Sequence, residues 1–399
     1  MAINLSNRAK AIPPSPTLTI SNKAKEMVAK GIDVVNFGVG EPDFNTPDYI
    51  KESAKKAIDA NFTRYTANAG IPELKKAICE KFQRDNQLTY TPEQILVSPG
   101  AKASIVYTLM AVINPGEKVL VPAPYWVSYP SQVELAGGKC VFVNTEESNN
   151  FKITAQQIED CVQAEGEIKA FFLNSPNNPT GAVYTKEELT AIAEVCVKHN
   201  IMVISDEIYE KLVYDGKQHV SIAGISEEVK ALTVIINGVS KAYAMTGWRL
   251  GYCAGPVDVV KAAARVQEHA SSNVNSITQK ATVTALTVDD GSLEKMRIEF
   301  EKRKNFLIEA LNKIDNVTCT VPNGAFYAVP NISYYIKNNK KGFTTSTEIS
   351  LYLLDNYHIA CVAGDSFGLN DIIRFSYANS MENLIKGVER FESGLKSLL

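Results

Sequence analysis

A lysine and an arginine that could together bind a phosphorylated carbonyl compound lie eight residues apart, at Lys241 and Arg249. An apolar run of strand length, 232–236, ends in Asn237-Gly238, and Lys241 follows before any helical pattern begins. Ligands in open α/β sheets bind beyond the carboxyl ends of strands, so Lys241 is placed where chemistry is usually done. Such a lysine can form a Schiff base, and a nearby arginine can hold a phosphate. A lone lysine after a strand is more often solvated than catalytic, so a catalytic role for Lys241 needs support from other residues.

Side chains with matching chemistry follow other predicted strands. Asp206 and Tyr209 come directly after one apolar run. Asn178 lies in the turn after a second run, and Trp126 lies just past a third. A carboxylate can keep a pyridine nitrogen protonated, and an aromatic plate can stack on a planar ring. For Trp126 alone, a core or hinge position is the commoner interpretation.

A possible phosphate cradle lies at Gly100 and Ala101, between a predicted strand and a predicted helix. Small residues at a helix N-terminus leave backbone N–H groups available, and the helix dipole favours an anion there. The segment lacks the Walker pattern, so a nucleoside triphosphate is not indicated. Lys102 stands in the first turn against the helix dipole, where it either serves a bound anion or points into solvent.

Two loops carry weaker signals. The glycine-rich segment that contains Gly40 follows a short predicted strand, and it is either a close approach to a ligand or a plain strand exit. Tyr65 lies in a polar loop before a predicted helix over 72–86. An exposed loop tyrosine is ordinarily a surface residue, so a ligand or subunit contact needs further support.

Strand–helix–strand repetition through most of the chain predicts right-handed crossovers and a largely parallel sheet, hence the α/β class. The chain has 399 residues, which is too long for one ordinary core. After about residue 256 the pattern becomes helical and then α+β, which indicates a second, smaller domain. We expect an N-terminal segment packing with the small domain, a large ligand-binding domain and the small C-terminal domain, over 1–45, 46–288 and 289–399. The α+β part is predicted to contain strands at 317–321, 325–329 and 372–378 and a helix near 345–357.

Composition excludes several classes of partner. The net charge of −3 gives no basic excess for nucleic acid or an anionic membrane. The seven cysteines are scattered and lack a Cys-x-x-Cys pair, which is typical of reduced thiols in the cytoplasm. The four histidines are isolated from them and from each other, so we expect no metal site. No signal peptide or membrane-spanning apolar run is present, which predicts a soluble protein.

Together, the lysine, carboxylate, hydrogen-bond donors, aromatic plate and phosphate cradle suit pyridoxal phosphate, whose aldehyde needs a lysine and whose pyridine nitrogen needs an anion. The chain also contains the motifs GEPDF (40–44), Y-x-x-x-x-GIPEL (65–74), PYWVSYP (124–130), NSPNNPTG (174–181), SDEIYE (205–210), SKAYAMTGWRLGY (240–252) and RFSYA (374–378). By these motifs it resembles the class I aminotransferases of the aspartate aminotransferase fold over essentially its whole length. The closest resemblance is to the bacterial branch that includes aspartate/prephenate aminotransferases.

The resemblance implies catalytic roles for three residues. Lys241 forms the Schiff base with the cofactor and then acts as the base that moves the substrate Cα proton. Asp206 pairs with the pyridinium nitrogen. Tyr209 hydrogen-bonds the ring hydroxyl together with Asn178, and Trp126 stacks on the ring.

The resemblance also implies the binding of anionic groups. Arg249 holds the cofactor phosphate with the backbone amides of Gly100 and Ala101. Tyr65 reaches a phosphate of the neighbouring subunit, which implies a homodimer with shared active sites. Gly238 stands where many members of the family carry a phosphate-binding serine, so the cradle is expected to be leaner.

For the substrate, the resemblance implies that Arg374 binds the α-carboxylate bidentately, helped by Asn178 and the Gly40 backbone. No arginine clearly matches the one that binds the distal carboxylate in animal-type enzymes. In the bacterial branch a lysine at the position of Lys102 serves this purpose, and the lysine is present here.

These implications predict a ping-pong transaminase that converts L-aspartate and 2-oxoglutarate to oxaloacetate and L-glutamate. The nearest alternatives are an aromatic, alanine or prephenate aminotransferase of the same fold, followed by a β-eliminating lyase. A non-catalytic ligand-sensing module of a transcription regulator is a further alternative. Such regulators carry an N-terminal DNA-binding domain, whereas this chain is expected to start directly in the aminotransferase fold.

Overall fold

The computed structural model describes residues 3–12 and 16–399 of the chain. Its strands are β1 (Val35–Asn36), β2 (Ile95–Ser98), β3 (Lys118–Ala123), β4 (Lys139–Asn144), β5 (Ala170–Asn174), β6 (Met202–Asp206), β7 (Thr233–Gly238), β8 (Gly251–Ala254), β9 (Tyr327–Ala328), β10 (Ile359–Ala360), β11 (Val362–Ala363) and β12 (Ile373–Ser376). Its α-helices are α1 (Asn7–Ala11), α2 (Pro16–Ala29), α3 (Asp48–Asp59), α4 (Pro72–Asn86), α5 (Ala101–Val112), α6 (Tyr129–Leu135), α7 (Ala155–Glu165), α8 (Lys186–Lys198), α9 (Glu227–Leu232), α10 (Val257–Ala270), α11 (Ser276–Thr287), α12 (Ser292–Leu311), α13 (Ser333–Asn338), α14 (Ser346–Tyr357) and α15 (Met381–Lys396).

The central sheet has seven strands in the order β2-β8-β7-β6-β5-β3-β4, and all neighbours are parallel except the two pairs that β8 forms. Asn174 is in register with Asp206, and Asp206 with Ile236, so β5, β6 and β7 end level with one another. The predicted α/β architecture with a largely parallel sheet is confirmed. The four-residue strand β8 was not predicted, because so short a buried segment has no periodicity that separates it from a turn.

Helices cover both faces of this sheet, as the near-continuous burial of β5, β6 and β7 requires. Successive residues of a strand point to opposite faces. On β5, Phe172 belongs to the same hydrophobic cluster as Ile105 of α5, whereas Phe171 belongs to that of Leu189 of α8. The sheet therefore packs between two buried apolar layers, one on each face, and this packing fixes the positions of its strand ends.

A second, smaller unit contains the three-stranded antiparallel sheet β11-β12-β9 and the parallel pair β1-β10. Its core is aromatic: Phe37 stacks on Phe375 with ring centroids 4.5 Å apart, and Phe375 contacts Phe391 edge to face at 4.8 Å. Strand β1 comes from the N-terminal segment, and Val35 is in register with Ile359. The division of the chain at residues 45/46 and 288/289 stays a prediction.

The predicted strand over 317–321 does not form. This segment makes only an isolated bridge between Thr318 and Asn331. The Asn312 side chain accepts a hydrogen bond from the backbone N–H of Cys319 and donates one to its carbonyl oxygen, at 2.8 and 3.0 Å. Because a side chain satisfies these backbone groups, no second strand is needed to pair with them. Among the residues described, none of the helices has both the length and the hydrophobicity that a membrane crossing needs.

Candidate active site

A cavity of about 450 Å³ opens at the level ends of β5, β6 and β7, between the central sheet and the smaller unit. Most of the residues predicted from the sequence line it, although they come from segments far apart in the chain. The predicted residues that line it are Gly40, Ala101, Lys102, Trp126, Asn178, Asp206, Tyr209, Lys241, Arg249 and Arg374.

Lys241 follows β7 and points its Nζ at the carbonyl oxygen of Gly40, 2.5 Å away. Burial, together with the nearby Arg374 guanidinium, lowers the pKa of this ammonium to about 8. A lysine with a depressed pKa is neutral in a larger fraction of molecules near pH 7, and the neutral amine is the nucleophile. The local environment therefore prepares Lys241 for attack on a carbonyl group.

Asp206 ends β6 and is buried. Its carboxylate accepts hydrogen bonds from the Tyr129 hydroxyl at 2.8 Å and from the backbone N–H of Ile208 at 3.2 Å. Burial raises the pKa of Asp206 to about 6, even though the hydrogen bonds from Tyr129 and Ile208 act in the opposite direction. A cationic N–H brought against the carboxylate would lower the pKa again, so the site is suited to a protonated ring nitrogen.

Tyr129 was not predicted as a site residue, although it lies in the motif PYWVSYP. Tyr129 begins α6, and its ring stacks on Phe172 with centroids 4.2 Å apart, so the hydroxyl is held on Asp206. Tyr327 was not predicted either, because it lies in the smaller unit, away from the strand ends of the central sheet. The hydroxyl groups of Tyr209 and Tyr327 are 2.9 Å apart in the cavity wall, and burial raises the pKa of both.

Arg374 lies on β12 and is only 3% exposed. Its guanidinium donates to the side-chain oxygen of Asn178 at 3.0 Å and to the carbonyl oxygen of Gly38 at 2.9 Å. Within the described residues it has no acidic partner, and its Nε has no hydrogen-bond partner. Burial lowers the pKa of Arg374, which expresses the cost of a buried cation without a counter-ion. A carboxylate that enters the cavity would remove that cost.

The cradle predicted at the start of α5 is formed by close backbone approach. Gly100 has φ of +89°, and a Cβ there would lie 2.6 Å from Nη2 of Arg249. A Cβ on Gly251 would lie 2.2 Å from the backbone nitrogen of Ala101. Glycines thus bring β8 and Arg249 onto the helix N-terminus, where a phosphate is favourably bound. Gly238 is also confined, because its Cβ would lie 2.9 Å from the Cα of Gly251.

Lys102 and Trp126 also line the cavity. The Nζ of Lys102 lies 4.9 Å from the centre of the Trp126 ring. Lys102 has no ion pair among the residues that the structure describes, and burial together with the nearby Arg249 lowers its pKa. The cation therefore faces the cavity without a counter-ion of its own.

Tyr65 does not join these residues. It is 91% exposed, and it is absent from the cavity wall of its own chain. Its assignment to a neighbouring subunit stays a prediction.

A buried polar network lies behind the turn that carries Asp206 and Tyr209, and it was not predicted. Glu207 accepts hydrogen bonds from Ser221 at 2.6 Å and from His219 at 3.0 Å. Glu210 is paired with Lys81, which is 1% exposed. The ligand atoms of Glu207, Glu210 and His219 lie within 4.8 Å of one another, but the Lys81 ammonium already supplies a cation to this cluster.

Comparison with known proteins adds independent information. The family model described as "Aminotransferase class I and II" matches residues 32–391. The chain is 46% identical to an aspartate aminotransferase of Bacillus sp. (strain YM-2), with 98% of this chain and 99% of the relative covered. It is 44% identical to an aspartate/prephenate aminotransferase of Cereibacter sphaeroides, with 98% of each chain covered. The crystal structure of an aspartate aminotransferase from Rhizobium meliloti superimposes with a TM-score of 0.95 at 39% identity, with 100% of each chain covered.

Proposed function

The chain belongs to the aminotransferase class I and II family, and we propose that it is a pyridoxal-phosphate-dependent aspartate aminotransferase. In the net reaction L-aspartate and 2-oxoglutarate become oxaloacetate and L-glutamate. The observation that carries this proposal is a cavity in which a lysine with a depressed pKa, Lys241, is accompanied by other basic side chains. Arg374 and Lys102 are among them, and neither makes an ion pair within the described part of the chain. A substrate with one amine and two carboxylates complements such a cavity.

The cavity has the features that pyridoxal phosphate needs. When bound, this cofactor supplies an aldehyde that condenses with amines and a ring that accepts electrons. Gly100, Ala101 and Arg249 would hold its phosphate, since glycines allow the required backbone approach. Asp206, which is buried and makes no ion pair with any residue that the structure describes, would pair with the ring nitrogen. Tyr209, with Asn178, would bind the ring hydroxyl, while Trp126 would stack on the ring.

The protein's own groups then act on the substrate. Arg374 and Asn178 bind the α-carboxylate, with the Gly40 backbone beside them, and so orient the bond from Cα to hydrogen. The Nζ of Lys241 removes the proton from Cα as a neutral amine and later returns a proton. Lys102 binds the distal carboxylate. Each of these residues lines the same cavity.

A homodimer in the cytoplasm completes the proposal. An exposed tyrosine in a polar loop, Tyr65, supports a contact with the partner's phosphate site, because it contributes nothing to its own cavity. The cysteines of the chain are unpaired, which is typical of a reducing compartment.

A second candidate is an enzyme that also transaminates prephenate. This candidate is favoured by the similarity to the aspartate/prephenate aminotransferase of Cereibacter sphaeroides, which is 44% identical to this chain. Aromatic or alanine aminotransferase activity would use the same chemistry, but neither needs the Lys102 cation. The aspartate reading therefore stands first.

The test is the visible absorbance of the cofactor-loaded protein during separate additions of L-aspartate, L-alanine, L-tyrosine and L-arogenate. We expect L-aspartate to change the spectrum at the lowest concentration and to release oxaloacetate. A response to arogenate alongside aspartate would identify the dual enzyme. Preference for alanine or tyrosine would refute the proposed substrate, and absence of any cofactor band would refute the enzyme.

A further inference from the structure

Among the side chains of helix α2 that the structure describes, Ser21 and Lys25 line the cavity. Residues four positions apart lie on one face of a helix, so both can reach the same ligand. The helix is anchored by Ile20 and Ala24, which are buried in a cluster with Leu354. This packing holds Ser21 and Lys25 on the cavity.

The charges that line the cavity are unbalanced. Its acidic residues are Glu41 and Asp206, and its five basic residues are Lys25, Lys102, Lys241, Arg249 and Arg374. Under the proposed function, Arg249 binds phosphate, Arg374 binds the α-carboxylate and Lys241 acts on the amine. Two lysines, Lys25 and Lys102, are left for the rest of the substrate.

The two lysines of helix α2, Lys23 and Lys25, differ in their ion pairs. Lys23 is paired with Asp355 at 2.7 Å, away from the cavity. Lys25 is exposed and has no ion pair in the described part of the chain. Glu41 accepts a hydrogen bond from Thr246 at 2.7 Å, and it makes no ion pair with Lys25. The cavity therefore contains a second lysine available to an anionic ligand.

We propose that Lys25, assisted by the Ser21 hydroxyl, joins Lys102 in binding the distal carboxylate of the substrate. This inference rests on the proposed function, and it makes helix α2 a determinant of specificity for dicarboxylic substrates. Two ammonium groups and a hydroxyl can satisfy several lone pairs of one carboxylate, whereas a single lysine leaves some of them to water.

The test compares two ligands that differ only in the distal carboxylate. Succinate and butyrate are titrated into the cofactor-loaded protein, and dissociation constants are taken from the absorbance change. We expect Lys25→Met to weaken succinate binding about tenfold, the scale of one charged hydrogen bond, and to leave butyrate binding unchanged. Lys25→Arg should restore most of the affinity. Lys23→Met, on the same helix, is the matched control and should behave as wild type.

If the wild-type protein prefers succinate, two results would overturn the inference about Lys25 and leave the proposed function intact. One is an unchanged succinate constant in Lys25→Met. The other is equal weakening of succinate and butyrate, which would assign Lys25 to the α-carboxylate or to general packing of α2. A wild-type protein that binds succinate no more tightly than butyrate would instead refute the proposed function, and this inference with it.

Discussion

The substitution Tyr129→Phe isolates the hydrogen bond that most directly tunes Asp206. The Tyr129 hydroxyl donates to Asp206 at 2.8 Å in a buried site, while its ring stacks on Phe172. Replacement by phenylalanine removes the hydroxyl and keeps the stacking. The carboxylate retains the hydrogen bond from the backbone N–H of Ile208.

The expected loss of stability in Tyr129→Phe depends on whether Asp206 is ionised. A hydrogen bond to a buried charged group contributes about 1.5–3 kcal/mol. Burial raises the pKa of Asp206 to about 6 from an ordinary value of 3.8, and the Tyr129 hydrogen bond lowers it, so the variant has a still higher pKa. The folded protein therefore binds more protons than the unfolded chain between these values, and stability decreases as pH rises through this range. In the variant this decrease is larger and extends to higher pH.

The assay is denaturant-induced unfolding of the apoprotein at about pH 5 and about pH 8, on either side of the folded-state pKa. We expect the free energy of unfolding of the variant to be about 1.5–3 kcal/mol below that of the wild type at the higher pH. At the lower pH we expect a much smaller difference between the two proteins. Tyr90→Phe is the matched control, because the buried Tyr90 hydroxyl has no hydrogen-bond partner among the described residues. An equal loss at both pH values would refute the role of the hydroxyl in stabilising the ionised carboxylate.

Three further predictions address the lysines. Lys241→Ala should retain cofactor but lose its characteristic visible band and all turnover; near-normal transamination would contradict the catalytic assignment. Lys102→Ala should raise the KM for aspartate far more than that for alanine or tyrosine, and an equal rise would remove Lys102 from substrate discrimination. Glu210→Ala leaves the Lys81 ammonium buried without its partner, so unfolding experiments should show a loss of about 3–5 kcal/mol. Glu159→Ala, which breaks surface ion pairs, is the comparison and should destabilise the protein far less, because solvent screens exposed pairs; similar losses for the two variants would contradict this reasoning.

Much of the central sheet could be predicted because its strands are buried on both faces. Strands such as β6 and β7 read as continuous apolar runs, and their ends were located to within two residues. The smaller unit was harder to predict, because its strands are two to four residues long and are held by neighbours distant in sequence. Over 317–321 the apolar pattern suggested a strand, but the side chain of Asn312 satisfies the backbone of Cys319 instead.

The same distinction applies to the candidate site. Residues at the ends of parallel strands, including Asp206, Asn178 and Lys241, could be grouped from sequence, since such ends converge at one edge. Tyr129, the hydrogen-bond partner of Asp206, could not be assigned to this group from the sequence. The contact spans 77 residues and depends on the position of α6. Lys25 had no local signal at all, since nothing in an amphipathic helix indicates which polar residue faces a cavity.

The sequence by itself therefore determined which chemical groups the protein places at the strand ends, and its motifs indicated the family. Only the tertiary structure decided how those groups are tuned. Arg374 donates to the Gly38 carbonyl across 336 residues, and it is receptive to a carboxylate because it is buried with no counter-ion in the described ranges 3–12 and 16–399. Depressed and raised pKa values, at Lys241 and Asp206, likewise arise from desolvation. Desolvation is a property of packed layers, and it appears only when distant segments exclude water from the same cavity.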